Sequence, residues 1–157
     1  MRIAAEYYTS RIIKKMRILG LDVGERRIGI AISDPLNKIA LPLSQIERTD
    51  KLEETLQKIE EFTLQYRVER IVVGLPRNMK GEEGWEVKKV RSFVSSLLSR
   101  INIPLFFIDE RFSTVLVERV LKKGKVSFSK RRQVKDKLAA VIILQSYLDS
   151  QEFKNEL

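Results

Sequence analysis

Arg17-Ile18-Leu19-Gly20-Leu21-Asp22-Val23-Gly24-Glu25-Arg26-Arg27-Ile28-Gly29-Ile30-Ala31-Ile32-Ser33 reads as two β-strands folded back on each other. Residues 17–23 and 27–33 are apolar and β-favouring, and Gly24-Glu25-Arg26 supplies a tight turn, so a hairpin is expected. Strand alternation makes Asp22 face away from the side taken by its neighbours Leu21 and Val23. A bare carboxylate in such a strand needs a partner or solvent, because burying it alone is costly. Gly24 follows at once and lets a ligand or another stretch of backbone come close.

Beyond the hairpin, Asp34-Pro35 and Asn37 mark a turn, and residues 39–46 make a third strand. Pro42 pushes that strand toward a sheet edge or its own start. Asp50 is a candidate cap for a helix over about 51–66, with Leu52, Leu56, Ile59, Phe62 and Leu64 or Tyr66 toward the core. Residues 70–74 form a short buried strand. The Gly/Pro/Asn loop from Leu75 to Gly84 is a candidate substrate-facing lid. Trp85 to Arg100 is helical, with Val87, Val90, Phe93, Val94, Leu97 and Leu98 on one face, and Pro104 to Asp109 is a further strand. Ser113 caps a helix to about Lys123, which Gly124 ends. A basic loop, Lys125 to Arg132, then leads to a long final helix from about Gln133 to Leu148. The order β-β-β-α-β-α-β-α-α predicts an α/β domain with a mixed five-stranded sheet and helices on both faces. That domain spans 17–157. Residues 1–16 are an N-terminal extension, and Met16 is a candidate natural start.

Composition narrows the chemistry. The 157 residues suit one domain with its own core, and 43% of them are hydrophobic against 32% charged. No apolar run approaches a membrane span and no secretory signal opens the chain, so a cytoplasmic protein without membrane contact is expected. There are no cysteines, which excludes disulfides, thiolate zinc sites and thiol nucleophiles. There are no histidines either, which excludes a Ser-His-Asp triad, a histidine base and an HExxH zinc site. Hydrolytic chemistry must therefore rest on carboxylates, lysine, hydroxyls or an oxygen-bound metal. With 30 Lys and Arg against 21 Asp and Glu, the net charge of +9 favours an anionic partner, nucleic acid first.

Acids at the ends of elements carry that chemistry. Asp22 ends the first strand. Asp109 and Glu110 follow the buried run Pro104–Ile108, where ligands of α/β sheets bind, and alternation lets only one of the two point into a site. Asp136 has Ala139, Ala140 and Ile143 three, four and seven residues on, which sets it on or beside the apolar face of the final helix. The plain alternatives are helix capping or ion pairs, with Arg111 for the Asp109–Glu110 pair and with Arg132 or Lys135 for Asp136. Together the acids suit a hard divalent cation, Mg²⁺ or Mn²⁺, that binds oxygen and needs no imidazole. Two such ions can activate water and stabilise the leaving oxygen of a phosphodiester.

Four segments in order carry a family pattern: Leu21-Asp22-Val23-Gly24 with Arg27-Ile28-Gly29; Val72-Val73-Gly74-Leu75-Pro76 with Asn78 and Gly81; Asp109-Glu110-Arg111-Phe112-Ser113-Thr114; and Asp136-Lys137-Leu138-Ala139-Ala140 with Ile143-Leu144. The chain resembles the YqgF family, also known as RuvX, over about 17–148. That family is described as a pre-16S rRNA 5′-end processing nuclease and was formerly described as a Holliday-junction resolvase. The resemblance implies an RNase H-like fold related to that of the RuvC resolvases. It implies that Asp22, Glu110 and Asp136 are the catalytic, metal-binding acids, and so selects Glu110 over Asp109. Lys137 departs from the serine or glutamine that often follows the last acid in the family.

Lys122, Lys123, Lys125, Lys130, Arg131, Arg132, Lys135 and Lys137 face only Asp136 among acids in that stretch. Such a one-sided run, just before a candidate catalytic acid, is expected to clamp a phosphate backbone, with a solvated loop as the alternative. Arg27, Arg111 and Asn78 are further candidates for phosphate contacts. The function expected is a metal-dependent endonuclease acting on structured RNA, with branched DNA as the second substrate class. Cutting a junction symmetrically requires a homodimer; otherwise a monomer suffices. A non-catalytic nucleic-acid-binding domain is the rival class. An actin-like ATPase is disfavoured by the lack of a second Asp-x-Gly and a second domain.

Overall fold

The computed structural model describes residues 16–76, 84–110 and 128–156, and within its last helix the side chains of 138–152. Among the described residues five strands and three helices follow in order: β1 Arg17–Val23, β2 Arg27–Ser33, β3 Ala40–Glu47, α1 Leu52–Gln65, β4 Val68–Leu75, α2 Trp85–Leu98, β5 Leu105–Asp109 and α3 Phe128–Glu156. The helix expected over 113–123 falls outside the described residues. Among those described, no helix is long and apolar enough to cross a membrane.

The sheet order is β3-β2-β1-β4-β5. β1 and β2 form the expected hairpin, antiparallel, with Asp22 opposite Gly29. β3 takes an edge, and its pairing with β2 slips between Ile30 and Ala31, where Ala31 meets Pro42. Proline lacks an N–H for the ladder, so the edge and the slip follow from its chemistry. β1, β4 and β5 run parallel, which brings the carboxyl ends of all three to one side of the sheet.

Alternation sorts the strand residues onto two cores. Leu19, Leu21, Ile71, Val73 and Leu75 pack with Leu56 and Ile59 of α1 and with Val87, Val90, Phe93, Val94 and Leu97 of α2. On the opposite face Ile18, Ala31 and Val72 pack with Ala140, Ile143, Leu144, Tyr147 and Leu148 of α3. Helices therefore cover both faces, as expected. On the α3 side the helix comes close to the sheet at Gly20. A Cβ placed on Gly20 would lie 2.7 Å from Leu144 Cβ and 3.1 Å from the Ala140 carbonyl oxygen, so the bare backbone at Gly20 lets α3 press on β1.

Several expectations need correction. The stretch 128–132 is not loop: α3 begins at Phe128 and runs to Glu156, longer at both ends than Gln133–Leu148. Lys and Arg are good helix formers, and no Gly or Pro interrupts 128–156, so the charge run belongs to the helix. Asp50 does not cap α1; its N-cap is Lys51 with no side-chain cap bond. The Thr49 hydroxyl takes up the slack, accepting from Lys51 N and donating to Glu54 Oε2. Leu52, Leu64 and Leu98 are exposed, whereas Thr55 and Thr63 are buried. Thr63 gains its place by donating to the Glu60 carbonyl at 2.6 Å, which satisfies the hydroxyl within the helix.

Candidate active site

β1 positions the first acid. Ile18 and Gly20 face α3, so Asp22 faces α3 as well, while Leu19 and Leu21 face the α1–α2 core. β5 decides between the next two. Leu105 and Phe107 pack with the α1–α2 core, and Ile108 packs with the α3 core. Phe106 also stacks on Tyr147 of α3, with ring centroids 5.8 Å apart. Continuing the alternation, Asp109 belongs to the α1–α2 side and Glu110 to the α3 side, the side of Asp22. The Glu110 N–H donates to the Leu75 carbonyl at 3.2 Å, which ties this backbone to the end of β4 just after the strand stops.

β4 lies between β1 and β5, so the two acids stand on either side of it. The residue between them is Gly74, whose partner on β5 is Ile108. A Cβ on Gly74 would collide with Glu110 Oε1 and lie 2.5 Å from Ile143 Cδ1. The absent side chain is the gap through which the Glu110 carboxyl reaches across β4. There it forms a side-chain hydrogen bond with Asp22. Burial, the Asp22 charge, that hydrogen bond, and then Glu86 and Asp109 push the Glu110 carboxyl up to about 8. At neutral pH Glu110 therefore keeps its proton and shares it with Asp22. Two carboxyl groups held this way against their mutual repulsion are a donor set that a divalent cation relieves, so these residues fit one.

Asp136 lies on α3, and its side chain is outside the described residues. Its backbone position follows from the helix's run. Tyr147 reaches Arg70 near the start of β4 at 3.1 Å, and Ala140 and Leu144 meet Gly20. Moving toward the N-terminus of α3 thus moves toward the carboxyl end of β1. The stretch of α3 before Ala140, which carries residue 136, therefore lies toward the strand end that carries Asp22. Among the described residues no group of three acids is placed to hold a metal ion, and the Asp136 side chain is not among those described.

The other expected contacts divide. Arg27 stands at the same sheet end as Val23 and pairs with Glu47, its cross-strand neighbour, at 3.3 Å. Asn78, Arg111 and Lys125 lie outside the described residues. Lys130, Arg131 and Arg132 lie on the first turns of α3, with their side chains outside the described residues.

A cavity of about 270 Å³ opens at Glu110, walled by Gly24, Arg48, Pro76, Glu86 and Lys89. Sequence reasoning missed Glu86, Arg48 and Lys89. Glu86 is the acid in the first turn of α2, a place where the helix dipole favours negative charge, and that was the signal available. Arg48 donates to the Gly24 carbonyl at 2.8 Å and lies over the Phe93 ring. Lys89 pairs with Glu25 and holds that carboxyl below its usual range. The pair bridges α2 to the β1–β2 turn.

The RuvX family model, described as a Holliday junction resolvase, matches residues 16–150. A protein of Caldanaerobacter subterraneus subsp. tengcongensis is 49% identical over 138 residues, covering 87% of this chain and 99% of its own length. One from Desulforamulus reducens is 46% identical over 135 residues, covering 86% and 98%. Both carry the name "Putative pre-16S rRNA nuclease". Among solved structures, RuvC of Thermus thermophilus in complex with a Holliday junction substrate aligns with a TM-score of 0.54 at 16% identity, covering 87% of this chain and 96% of that one. At that identity the likeness gives the fold, which is RNase H-like. With the family model spanning nearly the whole domain and relatives near half identity, the chain belongs to the RuvX family.

Proposed function

We propose that this chain is an endonuclease that hydrolyses phosphodiester bonds, with Asp22, Glu110 and Asp136 as its catalytic acids and the 5′ end of pre-16S rRNA as its substrate. One observation carries the reading: the Asp22 and Glu110 carboxyls meet over Gly74 at the carboxyl ends of three parallel strands. The substrate follows from the name shared by the relatives at 46–49% identity.

Asp22, Glu110 and Asp136 would hold Mg²⁺ or Mn²⁺, two ions for a two-metal displacement. When bound, such ions lower the pKa of a water and neutralise charge on the leaving oxygen. The chain's own part is to bring the acids together. β1 and β5 present Asp22 and Glu110 on the α3 side, and Gly74 leaves the room between them. Glu110 would have to give up its proton for its carboxylate to hold a cation. Arg27, Asn78, Arg111, Lys125, Lys130, Arg131 and Arg132 are the proposed phosphate contacts. The basic start of α3 precedes Asp136 by one to two turns, which suits a backbone approaching these acids. A cytoplasmic setting agrees with the lack of cysteine. Residues 1–16 are an extension to this nuclease domain.

The test compares the parent protein with Asp22→Asn and Glu110→Gln on a pre-16S rRNA leader and a four-way DNA junction, with Mg²⁺, Mn²⁺ or chelator. Each variant should lose about a hundredfold or more of the metal-dependent cleavage. Equal cleavage by all three proteins rejects this site. Binding without cleavage by any of them leaves a non-catalytic nucleic-acid-binding domain. The RuvC likeness makes the junction the second substrate to try. Paired cuts there require a two-fold dimer, so preference for the junction by a monomer would count against resolution.

A further inference from the structure

Trp85 is 71% exposed. It opens α2 two residues before Val87 and so stands off the buried face made by Val87, Val90, Phe93, Val94 and Leu97. Tryptophan is usually well buried, and one left this open at the rim of a site invites a ligand. Beside it runs a groove of about 610 Å³, lined by Lys88, Lys89, Arg48, Ser92 and Ser96. The groove shares Glu25, Arg48 and Lys89 with the cavity at Glu110, so the two are neighbours. Lys89 Nζ lies 5.3 Å from the centre of the Trp85 ring, close enough to steady the ring through its π face.

Resting on the nuclease reading above, we propose that this groove holds an unpaired stretch of the substrate next to the cut, with one base stacked on Trp85 and the backbone met by Lys88, Lys89 and Arg48. Cations exceed acids along the groove three to one, counting Glu25. A polyanion leaving the Glu110 cavity finds compensating charge here. An aromatic platform accepts any base by its face but cannot reach one already stacked inside a duplex. The preferred substrate class is therefore a nucleic acid with a single-stranded flank beside its scissile bond, rather than a blunt helix.

The chain has one tryptophan, so its emission reports on this ring alone. The experiment titrates Asp22→Asn protein, to prevent cutting, with an unstructured RNA or DNA oligonucleotide and with a blunt duplex of the same sequence. The single strand should quench the emission and the duplex should leave it unchanged. Trp85→Ala in the same background should bind the single strand roughly 5- to 100-fold more weakly, read by anisotropy, and Trp85→Phe should recover most of that loss. Unchanged affinity in Trp85→Ala, binding without a change in emission, or equal quenching by the duplex would each overturn the proposal. So would no binding at all, which would point to a protein as occupant of this face. The two readings separate cleanly. Parent protein that cuts while Trp85→Ala binds as well as the parent keeps the nuclease and loses the groove. Quenching by the single strand, together with Asp22→Asn protein that cuts like the parent, keeps the groove and loses the catalytic acids.

Discussion

The two faces of the sheet are made from the same strands and do different work. Toward α1 and α2 the strands send Leu19, Leu21, Ile28, Ile71 and Val73, all fully buried and large. Toward α3 they send Gly20, Ala31, Val72 and Gly74, and then acids at the ends. The first face fills space and holds the fold together. The second also holds Ile18, Phe106 and Ile108, but its glycines at 20 and 74 let α3 and the Glu110 carboxyl come close to the sheet. Alternation along a strand lets one sequence serve both faces without compromise between them, because neighbouring residues never share a face.

Adjacent residues Leu21 and Asp22 give the sharpest contrast. Leu21→Ala should destabilise the protein by about 2–5 kcal/mol through the cavity it leaves, and should lower Tm by several degrees. Asp22→Asn should leave Tm within a few degrees of the parent while cleavage falls by about a hundredfold or more. Thermal melts beside cleavage rates check both; similar effects of the two changes would erase the division of labour.

Gly74→Ala tests the close approach on the α3 face. Its Cβ would collide with Glu110 Oε1 and with Ile143 Cδ1. It should cost about 1–3 kcal/mol in strain and push Glu110 out of reach of Asp22, with cleavage falling about tenfold or more. Val73→Ala, one residue away on the other face, should cost stability and leave the pH and metal dependence of cleavage unchanged.

A separate effect, on pH dependence, comes from the proton on Glu110. Its carboxyl titrates near 8 in the fold, above its ordinary value of 4.5. Below about 4.5 both folded and unfolded chains hold that proton and the group contributes nothing to the pH dependence. Between about 4.5 and 8 the unfolded chain loses it first, so the metal-free fold loses stability as pH rises. Glu110→Gln should therefore flatten the decline in Tm over that window, measured in chelator. A decline as steep as the parent's would mean that Glu110 is not held protonated against Asp22.

Much of this is legible in the sequence. The hairpin, the edge position of the Pro42 strand, the five-stranded mixed sheet and the facing of Asp22 all follow from local alternation and from proline's missing donor. The choice between Asp109 and Glu110 is legible only through the family resemblance and not through alternation, because the facing of β5 is set by its register on β4 and by Phe106 meeting Tyr147, which are long-range facts. Nor is the role of Gly74: a glycine in a buried strand signals a close approach without saying what approaches. The start of α3 is hidden because a dense charge run looks like loop, although its residues favour helix. Thr55 and Thr63 escape notice because a hydroxyl can enter a core once the helix backbone satisfies it, as Thr63 does with Glu60.

Diffraction from crystals grown with Mn²⁺, at the manganese absorption edge, tests the central claim most directly. The result expected is an anomalous peak bound by the carboxyl oxygens of Asp22 and Glu110, with Asp136 completing the set. Manganese bound elsewhere while Asp22 and Glu110 remain hydrogen-bonded to each other would contradict it.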